Sequence, residues 1–318
     1  MSGLEPSECV YVGDALGHYH FGAVHPFGPQ RLGAFVNRFH TLGLDKRVHV
    51  CSPVTATDQQ IMRFHTRDYV ERVKRLSMIG EGYLDYGDTP AVPGIYEAAA
   101  SVVGTSLDAT GKIMSGECSR AFSPIAGLHH ARRNSAAGFC VFNDCGVVIE
   151  TLLNEYRLQC IAYVDIDAHH GDGVFYAYED EPRVFIADIH EDGRYLYPGT
   201  GTAGERGRDK AAGTKLNVPM PPGAGDEAFL DAWSEVEKFI NAAAPEFIVM
   251  QCGADSLAGD PITHLQYSPA VHGHAASRLA LLADKHSGGR LLALGGGGYN
   301  LENLAVAWTA VVTALITV

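Results

Sequence analysis

The stretch that most constrains the fold is Ile161 to Gly173, IAYVDIDAHHGDG. It begins as an apolar run ending at Val164, the pattern of a strand buried on both faces of a parallel sheet. It then changes abruptly to acid, His and Gly. Strand side chains alternate faces, so Asp165, Asp167 and His169 project to one side as the chain leaves the sheet, at the edge where open α/β folds place ligands. Two neighbouring carboxylates in a mostly buried place repel each other unless a cation stands beside them, and Asp167 with His169 makes a pair of metal ligands. A solvated turn after a strand also carries Asp, Gly and His, but the density of polar groups here favours a metal.

The same pattern recurs along the chain. Cys9–Val12, Val48–Cys51, Arg120–Ile125, Val184–His190, Thr214–Pro219, Phe247–Cys252 and Leu291–Leu294 read as strands. Between them lie segments of helical period: two short helices in Thr57–Met78, then Ile95–Met114, Asp226–Ala243 and Ser268–His286. Pro29 can start a helix that buries Leu32, Phe35, Val36 and Phe39. Asn143 or Asp144 can cap another, running to about Tyr156. Polar residues gather at the strand exits: His129 and His130, Asp165 to Asp172, Asp255, and Tyr299 after a run of glycines. Strand, loop and helix in repeated order indicate one α/β domain over 1–318, an open parallel sheet flanked by helices.

Composition bounds the function. Hydrophobic residues are 46% and charged residues 19% of 318, ample for one large core, and no Pro-, Ser- or charge-rich linker divides the chain. A net charge of -13 argues against nucleic acid and anionic membrane as partners, and suits cationic substrates such as lysine-bearing proteins or polyamines. The seven cysteines are scattered and odd in number, which argues against a disulfide framework or a thiolate zinc cluster and points to a reducing compartment. With no basic and apolar signal segment and no apolar run long enough to cross a bilayer, a cytoplasmic location is expected. Nothing in the sequence sets the oligomeric state.

In their joint order, HPFGPQR, GDTPA, LHHA, SAAGFCVFND, DIDAHHGDG, YPGTG, CGADSLAGDP and GGGGYN resemble the zinc-dependent histone deacetylase family. That family includes bacterial acetoin-utilization proteins and acetylpolyamine amidohydrolases, within the arginase and deacetylase fold. The resemblance covers nearly the whole chain. It implies eight parallel strands with the site at their carboxyl edge, and Asp167, His169 and Asp255 as ligands of Zn2+, a set hard enough to suit Fe2+ as well. Three protein ligands leave positions for water and a substrate carbonyl, as a hydrolytic metal requires.

By the same resemblance, His130 is the principal general base and acid and His129 its electrostatic partner, with Asp172 and Asp165 respectively setting their tautomers. Tyr299 is the oxyanion donor; family members with His at that position are poor deacetylases. Phe139 and Tyr197 wall the substrate tunnel, with Tyr197 in place of the more usual Phe, and Gly138 and Gly297 let backbone approach the site. Asp88, on its own a turn residue, matches a rim residue that grips the substrate backbone. Arg31, on its own a surface residue at a helix start, matches one lining an internal acetate exit. Ile262 stands where the polyamine-specific branch carries Glu. Asp165 and the carbonyls of Asp167 and His169 resemble a K+ or Na+ site, with Asp188 where the family often has Ser, an extra carboxylate expected to strengthen cation binding. His170 reads as structural, and His18, His20 and His25 as rim or packing groups.

The activity implied is removal of acetyl or other acyl groups from the ε-amine of lysine in a protein or peptide. A small acylated amine is the alternative substrate. A binuclear manganese ureohydrolase would need a further carboxylate two residues after His169, where this chain has Gly171. A silent acyl-lysine binding protein would not need His130 and Tyr299.

Overall fold

The computed structural model describes residues 8–318. Eight strands, β1 (Glu8–Tyr11), β2 (His49–Cys51), β3 (Arg120–Ser123), β4 (Ile161–Asp165), β5 (Val184–Glu191), β6 (Lys215–Met220), β7 (Phe247–Gln251) and β8 (Leu291–Leu294), form one sheet in the order β2-β1-β3-β8-β7-β4-β5-β6. Every pairing is parallel. The helices are α1 (Asp14–Gly17), α2 (Gln30–Thr41), α3 (Asp58–Ile61), α4 (Arg67–Ile79), α5 (Ile95–Ser115), α6 (Asp144–Asn154), α7 (Asp172–Ala177), α8 (Asp226–Ala243), α9 (Ala270–His286) and α10 (Leu301–Thr317). This is the open α/β architecture expected, with α2, α10, α9 and α8 packed in sequence as one layer and α5 with α6 in another.

Local chemistry explains the boundaries. The α3 start is a capping box, Thr57 with Gln60, and α4 opens on the Thr66 hydroxyl accepting from the Tyr69 N–H. α4 stops at Gly80, whose φ of 72° suits glycine. In α8, Phe229, Trp233, Val236 and Ile240 recur at helical spacing and are buried, so the helix lies against β5 and β6 by that stripe. Asn143, not Asp144, caps α6: its side chain accepts from the Gly146 N–H at 2.8 Å. Asp144 instead turns back to accept from the N–H groups of Gly127 and Leu128, at 3.1 and 2.8 Å.

The strand register places the site. Ser123 pairs with Leu294, Leu294 with Gln251, Gln251 with Asp165, and Asp165 with Asp188. One row across five strands thus turns polar at the carboxyl edge of the central strands. Because β8 and β7 intervene between β3 and β4, the loops leaving these four strands diverge over a shared crevice, the usual ligand position in such sheets.

Candidate active site

Asp167, His169 and Asp255 each offer one ligand atom, and these atoms lie within 4.8 Å of one another; no second group of this kind occurs among the described residues. Asp167 and His169 follow the end of β4, and Asp255 follows β7, its neighbour in the sheet. The His169 Nδ1 is 3.0 Å from Asp167 Oδ1 and 3.2 Å from Asp255 Oδ2. Asp255 Oδ1 accepts from the Ala168 N–H at 2.9 Å, whereas its Oδ2 is buried without a hydrogen-bond partner. Burial and the Asp167 charge push Asp255 up to about 7. Asp167 sits well below the carboxylate range although burial opposes this, because His129 and His169 lie beside it. Burial likewise opposes a rise of His169, but the two carboxylates outweigh burial and lift it to about 10. Two buried carboxylates and an imidazole nitrogen facing one point, with one oxygen left unpaired, fit a divalent cation.

Glycines keep that point open. A Cβ on Gly297 would lie 2.1 Å from Asp255 Oδ2 and 2.8 Å from Asp167 Oδ2, and one on Gly253 would lie within 1.9 Å of Asp167 Oδ2. The Gly297 N–H donates to Asp167 Oδ2 at 2.9 Å. Gln251, the last residue of β7, donates to the same oxygen at 2.9 Å and accepts from the Gly253 N–H at 2.7 Å. It therefore ties the Asp167 carboxylate to the loop that carries Asp255.

The two histidines after β3 stand side by side, Nε2 to Nε2 at 3.1 Å. His129 Nδ1 meets Asp165 Oδ2 at 2.8 Å, and His130 Nδ1 meets Asp172 Oδ1 at 2.7 Å. All four groups are buried. Although burial opposes it, Asp165 and Asp167 hold His129 up, to about 9. Burial and the neighbouring His129 bring His130 down to about 4. One imidazolium and one neutral imidazole result, and Asp172 holds the His130 proton on Nδ1, leaving Nε2 basic. The Tyr163 hydroxyl, donating to Asp165 Oδ2 at 2.6 Å, fixes the other carboxylate.

Tyr299 is half-buried on the loop after β8, and its backbone N–H donates to Asp260 Oδ2 at 2.8 Å. Burial, then the Asp255 charge, raises its phenol well above the usual range, so the hydroxyl keeps its proton. Its ring meets Phe139 edge-on at 5.8 Å between centroids. Tyr197 meets His130 at 5.1 Å, and Gly138 lies between them: a Cβ there would be 2.5 Å from the His130 ring and 3.1 Å from Tyr197. Phe139 itself has φ 65° and is held by its N–H to the Thr89 hydroxyl at 3.1 Å.

The outlying expectations divide. Asp88 stands at the exposed rim beside Tyr197, where partial desolvation of its carboxyl, followed by the facing Asp85, raises it to about 6. Arg31 is not a surface residue. It lies buried beneath the glycine loop, donating to the carbonyls of Gly298 (2.9 Å) and Gly296 (2.7 Å), with one guanidinium nitrogen unpaired. Ile262 is half-buried, its N–H held by Asp260 Oδ1 at 3.1 Å. His170 donates to or accepts from the Thr200 hydroxyl, and His25 packs on Phe139, as structural groups would. Asp188 also has partners within the protein. One oxygen meets His190 Nδ1 at 2.7 Å and the other accepts from the Gly171 N–H at 2.9 Å.

Residues 25–315 match the histone deacetylase domain family. The chain belongs to this family. It is 36% identical over 308 residues to the acetoin utilization protein AcuC of Bacillus subtilis (strain 168), covering 92% of this chain and 78% of that protein. With AcuC of Staphylococcus xylosus it is 32% identical over 325 residues, covering 99% and 84%. The crystal structure of the HDA15 HD domain superposes with a TM-score of 0.89 at 28% identity, covering 98% of this chain and 88% of that one. The fold is accordingly that of the deacetylases, and the protein is a deacetylase, a hydrolase of acyl amides. No helix among the described residues is long and apolar enough to cross a membrane.

Histone deacetylase membership was legible in the motifs, but several residues that shape the site were not. Gln251 is the last letter of an apolar strand and carries no motif of its own. Asp260 reads as a turn acid, yet holds both the Tyr299 and Ile262 backbones. Tyr163 looks like one more apolar strand residue, and its hydroxyl is the part that matters. A polar group in the last turn of a strand beside a metal-ligating loop is the signal that could have singled out Gln251.

Proposed function

We propose that the protein removes acyl groups, acetyl foremost, from the ε-amine of lysine in a peptide or protein, using one divalent ion held by Asp167, His169 and Asp255. The observation that supports this most is the convergence of those three side chains, one carboxylate oxygen left unpaired, beside a neutral imidazole and a protonated phenol. Zn2+ suits the set, and Fe2+ suits it too. When bound, the ion would polarise the substrate carbonyl and make water a stronger nucleophile near neutral pH.

The chain's own groups do the rest. His130 Nε2 takes the proton of the attacking water, since Asp172 keeps its other nitrogen protonated, and then returns a proton to the leaving amine. His129, paired with Asp165, supplies positive charge next to it. The Tyr299 hydroxyl donates to the carbonyl oxygen as negative charge develops there. Phe139 and Tyr197 flank the thin aliphatic stem and exclude water. Arg31 carries an unpaired buried N–H suited to an acetate leaving through the interior. A K+ or Na+ ion, if held, would rest on Asp165, Asp188 and the carbonyls of Asp167 and His169, with each Asp188 oxygen keeping a lone pair beside its contact to His190 or the Gly171 N–H.

For the substrate, Asp88 favours a peptide. A peptide brings backbone N–H donors to it, and a hydrogen bond to a charged group contributes about 1.5–3 kcal/mol, roughly tenfold or more in kcat/KM. Ile262 offers a distant ammonium nothing. The test compares kcat/KM for an acetyl-lysine tripeptide and N-acetylputrescine, before and after Asp88→Ala. A peptide preference that shrinks in the variant supports the reading, and a preference for the polyamine overturns it.

A further inference from the structure

The mouth of the site carries a cation that the reaction does not use. Arg132 and Arg133 follow the histidine pair after one residue, Ala131, yet they have different fates. Arg133 is taken up by the fold: it bonds the Phe64 carbonyl and Glu150 and lies over the Phe64 ring at 4.6 Å. Arg132 sits on a tight turn closed by its own N–H to the Ser135 carbonyl at 2.9 Å, with 59% of its side chain exposed. One guanidinium nitrogen reaches Asp172 Oδ2 at 3.2 Å, the carboxylate whose other oxygen holds His130. None of its remaining side-chain donors has a hydrogen-bond partner among the described residues.

That guanidinium lines a cavity of about 400 Å³ together with Asp88, Asp85, Tyr86 and Tyr197. This cavity lies immediately outside the aromatic walls. A larger one of about 730 Å³ between α8 and α9 contains none of the site residues. The two acids share the cavity with Arg132, but neither is hydrogen-bonded to it. Asp85 is consumed by its own loop, accepting from the N–H groups of Gly87, Asp88 and Thr89 and from the Thr89 hydroxyl. Asp88 is the group assigned to the substrate backbone. Arg132 is the one cation lining this cavity among the described residues, and its free N–H donors are what a carboxylate side chain flanking the acylated lysine would meet.

We propose that Arg132 is a specificity-determining residue that favours acyl-lysine peptides with a carboxylate side chain next to the acylated lysine and disfavours those with a basic one. The proposal rests on the acyl-lysine reading above. Arg suits the role because its planar fork can hold Asp172 on one edge and present further N–H donors to a second carboxylate.

The test measures kcat/KM on three acetyl-lysine tripeptides that differ only in the neighbouring residue, Glu, Gln or Lys, for the wild type, Arg132→Gln, Arg132→Lys and Arg132→Glu. Ratios between peptides are read within each protein, so any effect of the substitution on the Asp172 and His130 pair cancels. The wild type should prefer Glu over Lys by about fivefold, the scale of an exposed ion pair. The preference should fall on raising the salt from 0.05 to 0.5 M. Arg132→Gln should bring the ratio near one, Arg132→Lys should keep most of it, and Arg132→Glu should invert it. A wild-type ratio near one, or a preference that survives Arg132→Gln, overturns the proposal while leaving deacetylation of the Gln peptide as support for the function. If none of the three peptides is hydrolysed, the acyl-lysine reading fails and this inference fails with it.

Discussion

Replacing Gly297 by alanine adds one methyl group at the point where the three candidate ligands face one another. Its φ lies outside the left-handed region, so alanine meets no backbone penalty there and the effect is steric. The new Cβ would stand 2.1 Å from Asp255 Oδ2, about 1 Å closer than side-chain carbons approach oxygen. The carboxylate cannot rotate away freely, because its other oxygen is pinned to the Ala168 N–H and the residue has no exposure. Displacement of a ligand or of the reacting centre by about 1 Å costs roughly 10²-fold in rate, and disturbance around ligands costs roughly 10–100-fold in metal affinity. Overpacking should reduce stability by only ~1–3 kcal/mol. The assay is metal content after dialysis at fixed free zinc, alongside kcat/KM on an acetyl-lysine peptide and far-UV circular dichroism. A folded variant with normal metal content and normal turnover would refute the assignment of Asp255 Oδ2 to the metal.

Other expectations follow from the same geometry. Tyr299→Phe should keep metal and fold but lower kcat by about two to three orders of magnitude, the scale of a lost oxyanion donor; an unchanged kcat removes the hydroxyl from the reaction. Asp172→Asn should lower kcat far more than it raises KM, because it releases the His130 tautomer, and steady-state kinetics that show only a KM change would contradict that role. Asp88, raised to about 6, is charged above that pH and neutral below it, so peptide KM should rise as pH falls through 6. Asp88→Ala should flatten this dependence, and a KM equally pH-dependent in the variant would assign it elsewhere. Gly104→Ala should destabilise the chain by ~1–3 kcal/mol without touching the site, since a Cβ on this α5 residue would lie 2.3 Å from the Val54 carbonyl oxygen; thermal unfolding checks it.

The legible part of the molecule was the part written in local pattern. The helix Asp226–Ala243 and the strand Leu291–Leu294 fall on the boundaries expected from periodicity, and the strands at Ile161 and Phe247 start where the apolar runs start. The ligands were readable because each lies just past a strand end, where an acid or His has no packing reason to be. What could not be read depends on contacts between distant segments. The short helix Asp14–Gly17 has no stripe long enough to show a period. Arg31 looks like a surface cation until Gly296 and Gly298, more than 260 residues away, supply carbonyls above it. The hold of Asp188 on its neighbour on the same strand face, His190, was likewise not readable, because it depends on the Gly201 carbonyl, 2.9 Å from the second nitrogen of His190. Gln251 is silent in sequence because its partners are Asp167 and the Gly253 N–H, one of them 84 residues away.

The central claim, that a single divalent ion on Asp167, His169 and Asp255 supports deacylation, is tested most directly by titrating metal-free protein with zinc while following hydrolysis of an acetyl-lysine peptide. Activity should rise linearly and saturate at one equivalent per chain, with no rise in Asp255→Ala at the same concentrations. Activity that appears only after two equivalents of manganese, or that is retained without any divalent ion, would contradict it.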